Sequence, residues 1–221
     1  MSSHSRDLLM VDHDGVLVDS FDVFSATFID AGHAAGIVGV DTPDEVLALF
    51  EDNLYASLRA HGASDAQIAS ALGKTAEALN HASHWLRPFP LVPQVLADLG
   101  EVRTIVLVTS GPGAVAENWL RRHGVVGIDH VAGAENGLSK ADKIRTLVSA
   151  HPGQDVYWFV GDTAGDMREA RAAGATPVGV GWGWHDPELL IAAGAERIAA
   201  TPADLLGILA PELTADFFGV D

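Results

Sequence analysis

The sequence predicts an α/β fold: a doubly wound, Rossmann-like parallel-sheet core with a helical domain inserted after its first strand. Three observations lead there. An apolar run at residues 8–11 ends abruptly at Asp12, Asp14 and Gly15. Residues 21–87 then change to a helical composition of Ala, Leu and scattered charge, with no convincing β run. From about residue 104 onward, apolar β-branched runs alternate with helical stretches, the pattern of a parallel sheet covered on both faces.

In chain order, residues 8–11 read as a buried strand, and Gly15 lets the backbone turn sharply behind it. Roughly four short helices are expected between residues 21 and 87. Two of their starts are legible. Thr42-Pro43-Asp44-Glu45 offers an N-cap, a first-position proline and an acid three residues on, and Ser64 with Gln67 repeats the capping-box spacing. The proline-rich segment 87–94 cannot continue a helix and marks the return from the insertion. Thereafter strands are expected at 104–108, near 130–132, at 156–160 and at 176–180. Helices are expected at 114–123, from about 141, and near 165–173. The expected division is therefore a core of residues 1–20 and 88–221 around a helical cap domain of residues 21–87. No internal repeat or low-complexity segment is present.

The bulk properties narrow the function. With 221 residues and 48% hydrophobic content the chain can bury a substantial core. Its 13 Lys+Arg against 30 Asp+Glu give a formal charge of −17, which opposes nucleic acid or an anionic membrane as partner. The same charge repels a small anion at long range, so any phosphate site needs a local cation or metal. Cysteine is absent, which excludes disulfides, thiolate catalysis and cysteine-ligated metal. The first ten residues lack the apolar core of a signal peptide, and no run is long enough to span a bilayer. A cytoplasmic protein, monomeric or homodimeric, is the expectation.

Chemistry is expected at the carboxyl ends of the strands, where open parallel sheets bind ligands. Asp12 and Asp14 stand there after the first strand. The strand at 104–108 runs into Thr109, Ser110 and Gly111, a hydroxyl and turn amides ahead of a helix N-terminus, which together suit an anion. The strand at 156–160 runs into Gly161-Asp162-Thr163-Ala164-Gly165-Asp166, delivering two further acids. Four carboxylates within about 4–6 Å would raise one another's pKa unless a cation intervened. Hard oxygen ligands without sulfur fit Mg²⁺ better than zinc. Lys140 and Lys143 lie where a helix should start. Lys140 is the expected phosphate-binding lysine, because Lys143 falls in the helix body where a solvated face is the ordinary use. A lysine about 4 Å from a phosphate contributes on the order of 4 kcal/mol at an effective dielectric near 20, before desolvation.

With these residues assembled, the sequence resembles the haloacid dehalogenase superfamily of phosphohydrolases. The four motifs appear in order: Asp12-His13-Asp14-Gly15-Val16, Thr109, Lys140, and Gly161-Asp162-Thr163 with Asp166. The insertion after the first strand matches the subgroup with a helical cap, and the late segment from Gly179 to Leu206 is similar in texture to phosphoglycolate-phosphatase-like members. The resemblance implies a Mg²⁺-dependent phosphatase of a small phosphorylated metabolite. It implies Asp12 as nucleophile and Asp14 as general acid and base. It also implies a metal held by the Asp12 carboxylate, the Asp14 backbone carbonyl and Asp162 with Asp166 in support, and phosphoryl oxygens held by Thr109 and Lys140. Asp14 points to phosphoester chemistry, since the family's dehalogenases and phosphonate hydrolases lack an acid there. Val16 replaces the threonine of many family phosphatases. The family's sugar phosphomutases also tolerate valine, and a phosphomutase is the alternative function. They usually carry a histidine where this chain has Phe24. A binding protein that kept the fold without the reaction is the third reading, and the presence of Asp12 counts against it.

Substrate contacts are expected from the cap, with Arg59, Lys74 and Arg87 as candidates and Ser20 and Phe24 better placed near the hinge. Hinge motion is expected around Ser20 and Pro88. His81 and His84 lack a third ligand and read as a helix face. His13 should point to the opposite side of the strand from the aspartates and has no expected role. Trp182 and Trp184 could border the site, though packing is the commoner use of tryptophan.

Overall fold

The computed structural model describes residues 7–137 and 139–215. Its core is a six-stranded parallel sheet in the order β3-β2-β1-β4-β5-β6. The strands are β1 (Asp7–Val11), β2 (Arg103–Val108), β3 (His130–Ala132), β4 (Trp158–Gly161), β5 (Thr176–Val180) and β6 (Arg197–Ala199). Side chains alternate between two apolar layers, as the pleat requires. Leu9, Val11, Ile105, Leu107, Val160 and Val178 belong to one layer. Leu8, Met10, Val106, Val108 and Phe159 belong to the other.

The chain first builds outward from β1 through β2 to β3, then returns to the far side of β1 and builds outward from β4 through β5 to β6. The strand order therefore reverses between β1 and β4, which leaves a crevice at their carboxyl ends. Register makes this concrete. Val11 pairs with both Leu107 and Val160, and the Asp12 N–H donates to the Val160 carbonyl at 2.9 Å. The residues that follow those strand ends, Asp12, Thr109 and Asp162, are thus neighbours by hydrogen-bond register.

Four α-helices occupy the insertion: α1 (Phe21–Ala35), α2 (Pro43–Ala48), α3 (Leu54–Ala60) and α4 (Asp65–Ala82). Both expected capping boxes form, Thr42 with Glu45 and Ser64 with Gln67. Two of the helices are longer than expected, α1 at 15 residues and α4 at 18. They pack against each other around their own apolar cluster, which includes Phe24, Phe28, Val46, Leu49, Leu58 and Ile68. The two segments joining insertion to sheet are paired to one another, with a bridge between Val18 and Pro88 and a bond from the Phe89 N–H to the Leu17 carbonyl at 3.0 Å.

The remaining helices are α5 (Val92–Val102), α6 (Gly113–His123), α7 (Lys140–Ala150), α8 (Ala164–Ala172), α9 (Pro187–Ala193), α10 (Asp204–Leu209) and α11 (Pro211–Ala215). α5, α6 and α10 supply Leu96, Trp119 and Leu205 to the layer holding Leu9, while α7 and α8 supply Ile144 and Ala170 to the opposite layer. The proline-rich return is shorter than the sequence suggests, because Pro93 lies in the first turn of α5, where its missing N–H costs nothing. The strand expected at 156–160 begins instead at Trp158, and Val156 is exposed outside it.

Phe28 is fully buried among the inserted helices and stacks on Phe24 with ring centroids 5.7 Å apart. Phe28→Ala is expected to destabilise by about 3–5 kcal/mol, measured as a lower denaturant midpoint in urea unfolding.

Candidate active site

Asp12, Asp162 and Asp166 converge at the crevice. One carboxylate oxygen from each lies within 4.8 Å of the others, and all three residues are buried. The sheet delivers Asp12 and Asp162. Asp166 arrives because α8 starts at Ala164: Thr163 caps it, its hydroxyl accepting the Asp166 N–H at 3.2 Å while Asp166 reaches back to the Thr163 N–H at 3.3 Å. Asp166 is therefore fixed by the same capping box that begins the helix.

Lys140 lies between two of the acids. Its Nζ is 2.5 Å from Asp12 Oδ2 and 2.5 Å from Asp166 Oδ1, deep in the fold. Burial opposes its charge, but the two carboxylates outweigh that and raise its pKa, so the ammonium stays protonated. Asp12 feels the reverse balance: burial dominates, Lys140 pulls the other way, and the result is a carboxyl pushed up to about 7 from 3.8. Burial, with the neighbouring Asp166 and Asp12, also raises Asp162 well above the ordinary range.

These observations test the metal. Asp162 Oδ2 accepts the Trp184 N–H at 2.8 Å, while its Oδ1 is buried with no hydrogen-bond partner. An unpaired buried carboxylate oxygen costs about 1–3 kcal/mol or more, and three acids share a single lysine. An all-oxygen donor set that, ionised, is two positive charges short fits a hard divalent cation, as the sequence predicts.

Asp14 stands apart from this group. Its Oδ1 accepts the Ser20 hydroxyl at 2.7 Å and its Oδ2 the His13 Nδ1–H at 3.3 Å. Burial pushes its pKa up, but His13 and Ser20 more than compensate and hold it below the ordinary value. His13 thus corrects the sequence reading. Strand alternation ends at Val11, and the chain is already turning at residues 13–15, so the imidazole swings to the aspartate side. There it meets the Trp119 ring edge-on at 5.0 Å. Gly15 makes the turn possible at φ 76°, and a Cβ there would collide with Asp162 Oδ2.

Thr109, Ser110 and Gly111 all line the same crevice. The Thr109 hydroxyl accepts the Gly111 N–H at 3.0 Å, which orders the turn. Lys143 also corrects the sequence reading. It is 2% exposed, not solvated, and its Nζ donates to the backbone carbonyls of Thr109 at 2.6 Å and Gly133 at 3.2 Å, fixing that loop from beneath. Burial, with Lys140 nearby, lowers its pKa to about 8.

Of the cap candidates, Phe24 and Arg59 line the cavity above the acids, whereas Lys74 and Arg87 are exposed and outside it. His81 is exposed in the last turn of α4 and His84 is exposed in the turn beyond it, and neither joins a metal-type cluster among the described residues. Trp182 packs in the core layer and donates to the Val16 carbonyl at 3.1 Å, while Trp184 borders the site. Two further residues escaped sequence reasoning. Glu169 accepts from the Ser139 hydroxyl at 2.8 Å and the Ala141 N–H at 3.2 Å, anchoring the start of α7 and hence Lys140. His185 accepts the Ala164 N–H on Nδ1 at 2.9 Å, which leaves its proton on Nε2 to donate to the Leu47 carbonyl at 3.2 Å. It ties the start of α8 to the inserted helices. Neither carries a local sequence signal, since both act across long separations.

A reversed parallel sheet with buried acids at its switch point, a lysine between them and helices inserted over them defines a hydrolase of the phosphatase class. A family model described as haloacid dehalogenase-like hydrolase matches residues 9–180, and the chain belongs to that family. A phosphoglycolate phosphatase of Synechococcus elongatus is 32% identical over 204 residues, which cover 90% of this chain and 94% of that one. The tyrosine-protein kinase PtkA of Mycobacterium tuberculosis is 27% identical over 188 residues, 81% of this chain but 64% of its own length. A hydrolase from Pseudomonas syringae shares the fold, with a TM-score of 0.75 at 23% identity over 93% of this chain and 99% of that one. No helix among the described residues is long and apolar enough to cross a membrane.

Two outcomes follow from the electrostatics. Asp162→Asn removes a buried carboxylate that lacks a full set of partners, so the metal-free variant is expected to be more stable by about 1 kcal/mol, a rise in Tm of roughly 2–4 °C, with no further rise on adding Mg²⁺. Scanning calorimetry with and without the metal measures both. The Asp12 carboxyl holds a proton in the folded chain up to about 7 that the unfolded chain releases near 3.8. Folding is therefore favoured at the acid end of that window, and metal-free stability should fall as pH rises through 7. Lys143 acts oppositely, and only above about pH 8. Urea midpoints at pH 5.5 and 7.5 in a chelator check the sign, and Mg²⁺ should reduce the difference.

Proposed function

We propose that the protein is a Mg²⁺-dependent phosphohydrolase that cleaves a phosphate monoester through an aspartyl-phosphate on Asp12. The observation that carries this reading is the pair Asp12 and Asp14, two residues apart with opposite environments. Asp12 is buried against Lys140 and the other acids, while Asp14 is partly exposed and held by Ser20 and His13. Two carboxyls pushed apart in pKa by their surroundings suit two roles.

Asp12, Asp162, Asp166 and the Asp14 backbone carbonyl would hold the metal. When bound, the metal neutralises phosphoryl charge and keeps Asp12 ionised at neutral pH. A carboxylate oxygen of Asp12 attacks phosphorus and the ester bond breaks, its oxygen leaving as an alcohol with a proton from Asp14. Asp14 as it stands is ionised. The negative charge of an arriving phosphate raises the pKa of a neighbouring carboxyl and favours the protonated form needed for this step. Water then attacks the aspartyl-phosphate, giving its proton back to Asp14, and phosphate leaves with Asp12 regenerated.

Lys140 uses two of its three donors on Asp12 and Asp166, leaving one for a phosphoryl oxygen. The Thr109 hydroxyl accepts from Gly111 and so has its own hydrogen to donate to another. These fixed charges and donors supply most of the stabilisation in phosphoryl transfer. The helices of residues 21–87 act as the cap, excluding water and contacting the leaving group. They place Phe24, which carries no proton, against the site, so the second acid–base group that an isomerase would draw from there is not supplied at that position.

Asp12→Asn should lower Mg²⁺-dependent phosphate release by at least about 10³-fold while the circular dichroism spectrum and cooperative unfolding persist. Retention of more than a small fraction of the activity would remove Asp12 as nucleophile.

A further inference from the structure

The cavity above the acids is about 470 Å³, within the roughly 300–1,000 Å³ range of pockets that bury most of an organic ligand. One end is the phosphate-handling cluster already described. The rest is built by the insertion together with Trp184 and the α6 residues Val115, Ala116 and Trp119, and is mostly apolar: Phe24, Phe50 and Trp184 form an aromatic wall with ring centroids 4.9–5.5 Å apart, and Ile68, Leu72 and Leu79 also line it.

Charge in this part of the cavity is confined to Arg59 and Asp65, both exposed and joined by one bond from Arg59 Nε to Asp65 Oδ1 at 2.8 Å. Apart from that exposed arginine, no cation among the described residues lining this part of the cavity is available to a carboxylate or second phosphate on the leaving group. Such an anion would be buried among rings and aliphatic side chains in a chain already carrying a formal charge of −17, at a cost of several kcal/mol. Neutral hydrogen-bonding groups are present instead. Among the described residues, the buried side-chain polar atoms lacking any partner are His13 Nε2, Ser83 Oγ, Asp162 Oδ1 and Trp184 Nε1, and all four belong to residues lining this cavity. Two of them, the Ser83 hydroxyl and the Trp184 N–H, lie outside the acid cluster. Unsatisfied buried groups are uncommon in folded proteins, and two neutral ones on residues lining this cavity suit a polar but uncharged ligand. Burial raises the Tyr55 phenol's pKa, so it too remains a neutral donor.

The geometry points to a leaving group that is an uncharged alcohol with a substantial apolar body, ring-shaped or branched, carrying at least one hydrogen-bond acceptor. The inference rests on the phosphohydrolase reading and deepens it. It also separates this chain from its relative in Synechococcus elongatus, a phosphoglycolate phosphatase.

The test compares kcat/KM for primary alkyl esters of similar intrinsic reactivity: benzyl phosphate, isopentyl phosphate and phosphoglycolate, each with Mg²⁺. Benzyl phosphate should exceed phosphoglycolate by about 100-fold, with isopentyl phosphate between them. Leu72→Arg places a guanidinium on the half-buried apolar wall and should cut the benzyl-to-phosphoglycolate ratio at least tenfold. Phosphoglycolate preferred or equal in the wild-type protein would overturn the apolar assignment while leaving the phosphohydrolase reading standing. An unchanged ratio in a folded Leu72→Arg protein would also overturn it, by showing that the leaving group does not touch that wall. Release from none of the three, with folded protein and Mg²⁺ present, would defeat the phosphohydrolase reading and the inference together.

Discussion

The Lys140 ammonium, buried between Asp12 and Asp166, is the contact on which the rest of the site depends. A charge removed from water to this degree is tolerated only with close partners, and here two carboxylates share it. Several distant features serve that placement. Glu169 from α8 anchors the Ser139 hydroxyl and the Ala141 N–H at the start of α7, so the lysine emerges at one fixed point. Thr163 caps α8 and holds Asp166 in place to receive it. Lys143, one turn further along α7, fastens the Thr109 loop through its carbonyls. One helix start thereby positions parts from three strand ends.

The second constraint is the closeness of the inserted helices to the acid cluster. Gly165 lies between the two acids of the β4–α8 loop, and a Cβ there would stand 2.6 Å from the Asp52 carbonyl and 2.9 Å from that of Phe50. Glycine is needed because the insertion's backbone rests directly on the start of α8. His185 reinforces the same seam from the other side through Leu47. Arg168 adds a hydrogen bond to the Glu51 carbonyl. Trp184 connects the two layers of function: its N–H donates to Asp162, and its ring packs with Phe24 and Phe50.

This arrangement divides the chemistry by polarity. Fixed charges sit at the sheet edge, where strand register and capping determine their positions. The surfaces that would meet a leaving group sit on helices α1, α3 and α4, whose inward faces must be apolar to pack on one another. The cavity inherits that apolarity, and the few polar atoms left without partners give it direction.

The sequence by itself determined the core fold and the identity of the acids. Strands at 130–132 and 176–180 stand where expected, and the four-helix insertion with both capping boxes follows from local spacing. Asp12 and Asp162 could be placed together because each directly follows an apolar strand and the carboxyl ends of parallel strands share one edge, and Asp166 joins them from the first turn of the helix that follows. Lys140 was legible because a helix start lies there. What only the tertiary structure decided involves groups whose surroundings come from far along the chain. His13 turns toward Asp14 because the strand ends one residue before Asp12, and Lys143 is buried because the Thr109 loop lies over α7. Glu169 and His185 act across separations that leave no local pattern. The pairing of Arg59 with Asp65, and the apolar lining of the cavity, depend on how two helices approach. Hydrophobic period and capping are properties of neighbouring residues, whereas burial, charge pairing and cavity lining are properties of packed surfaces.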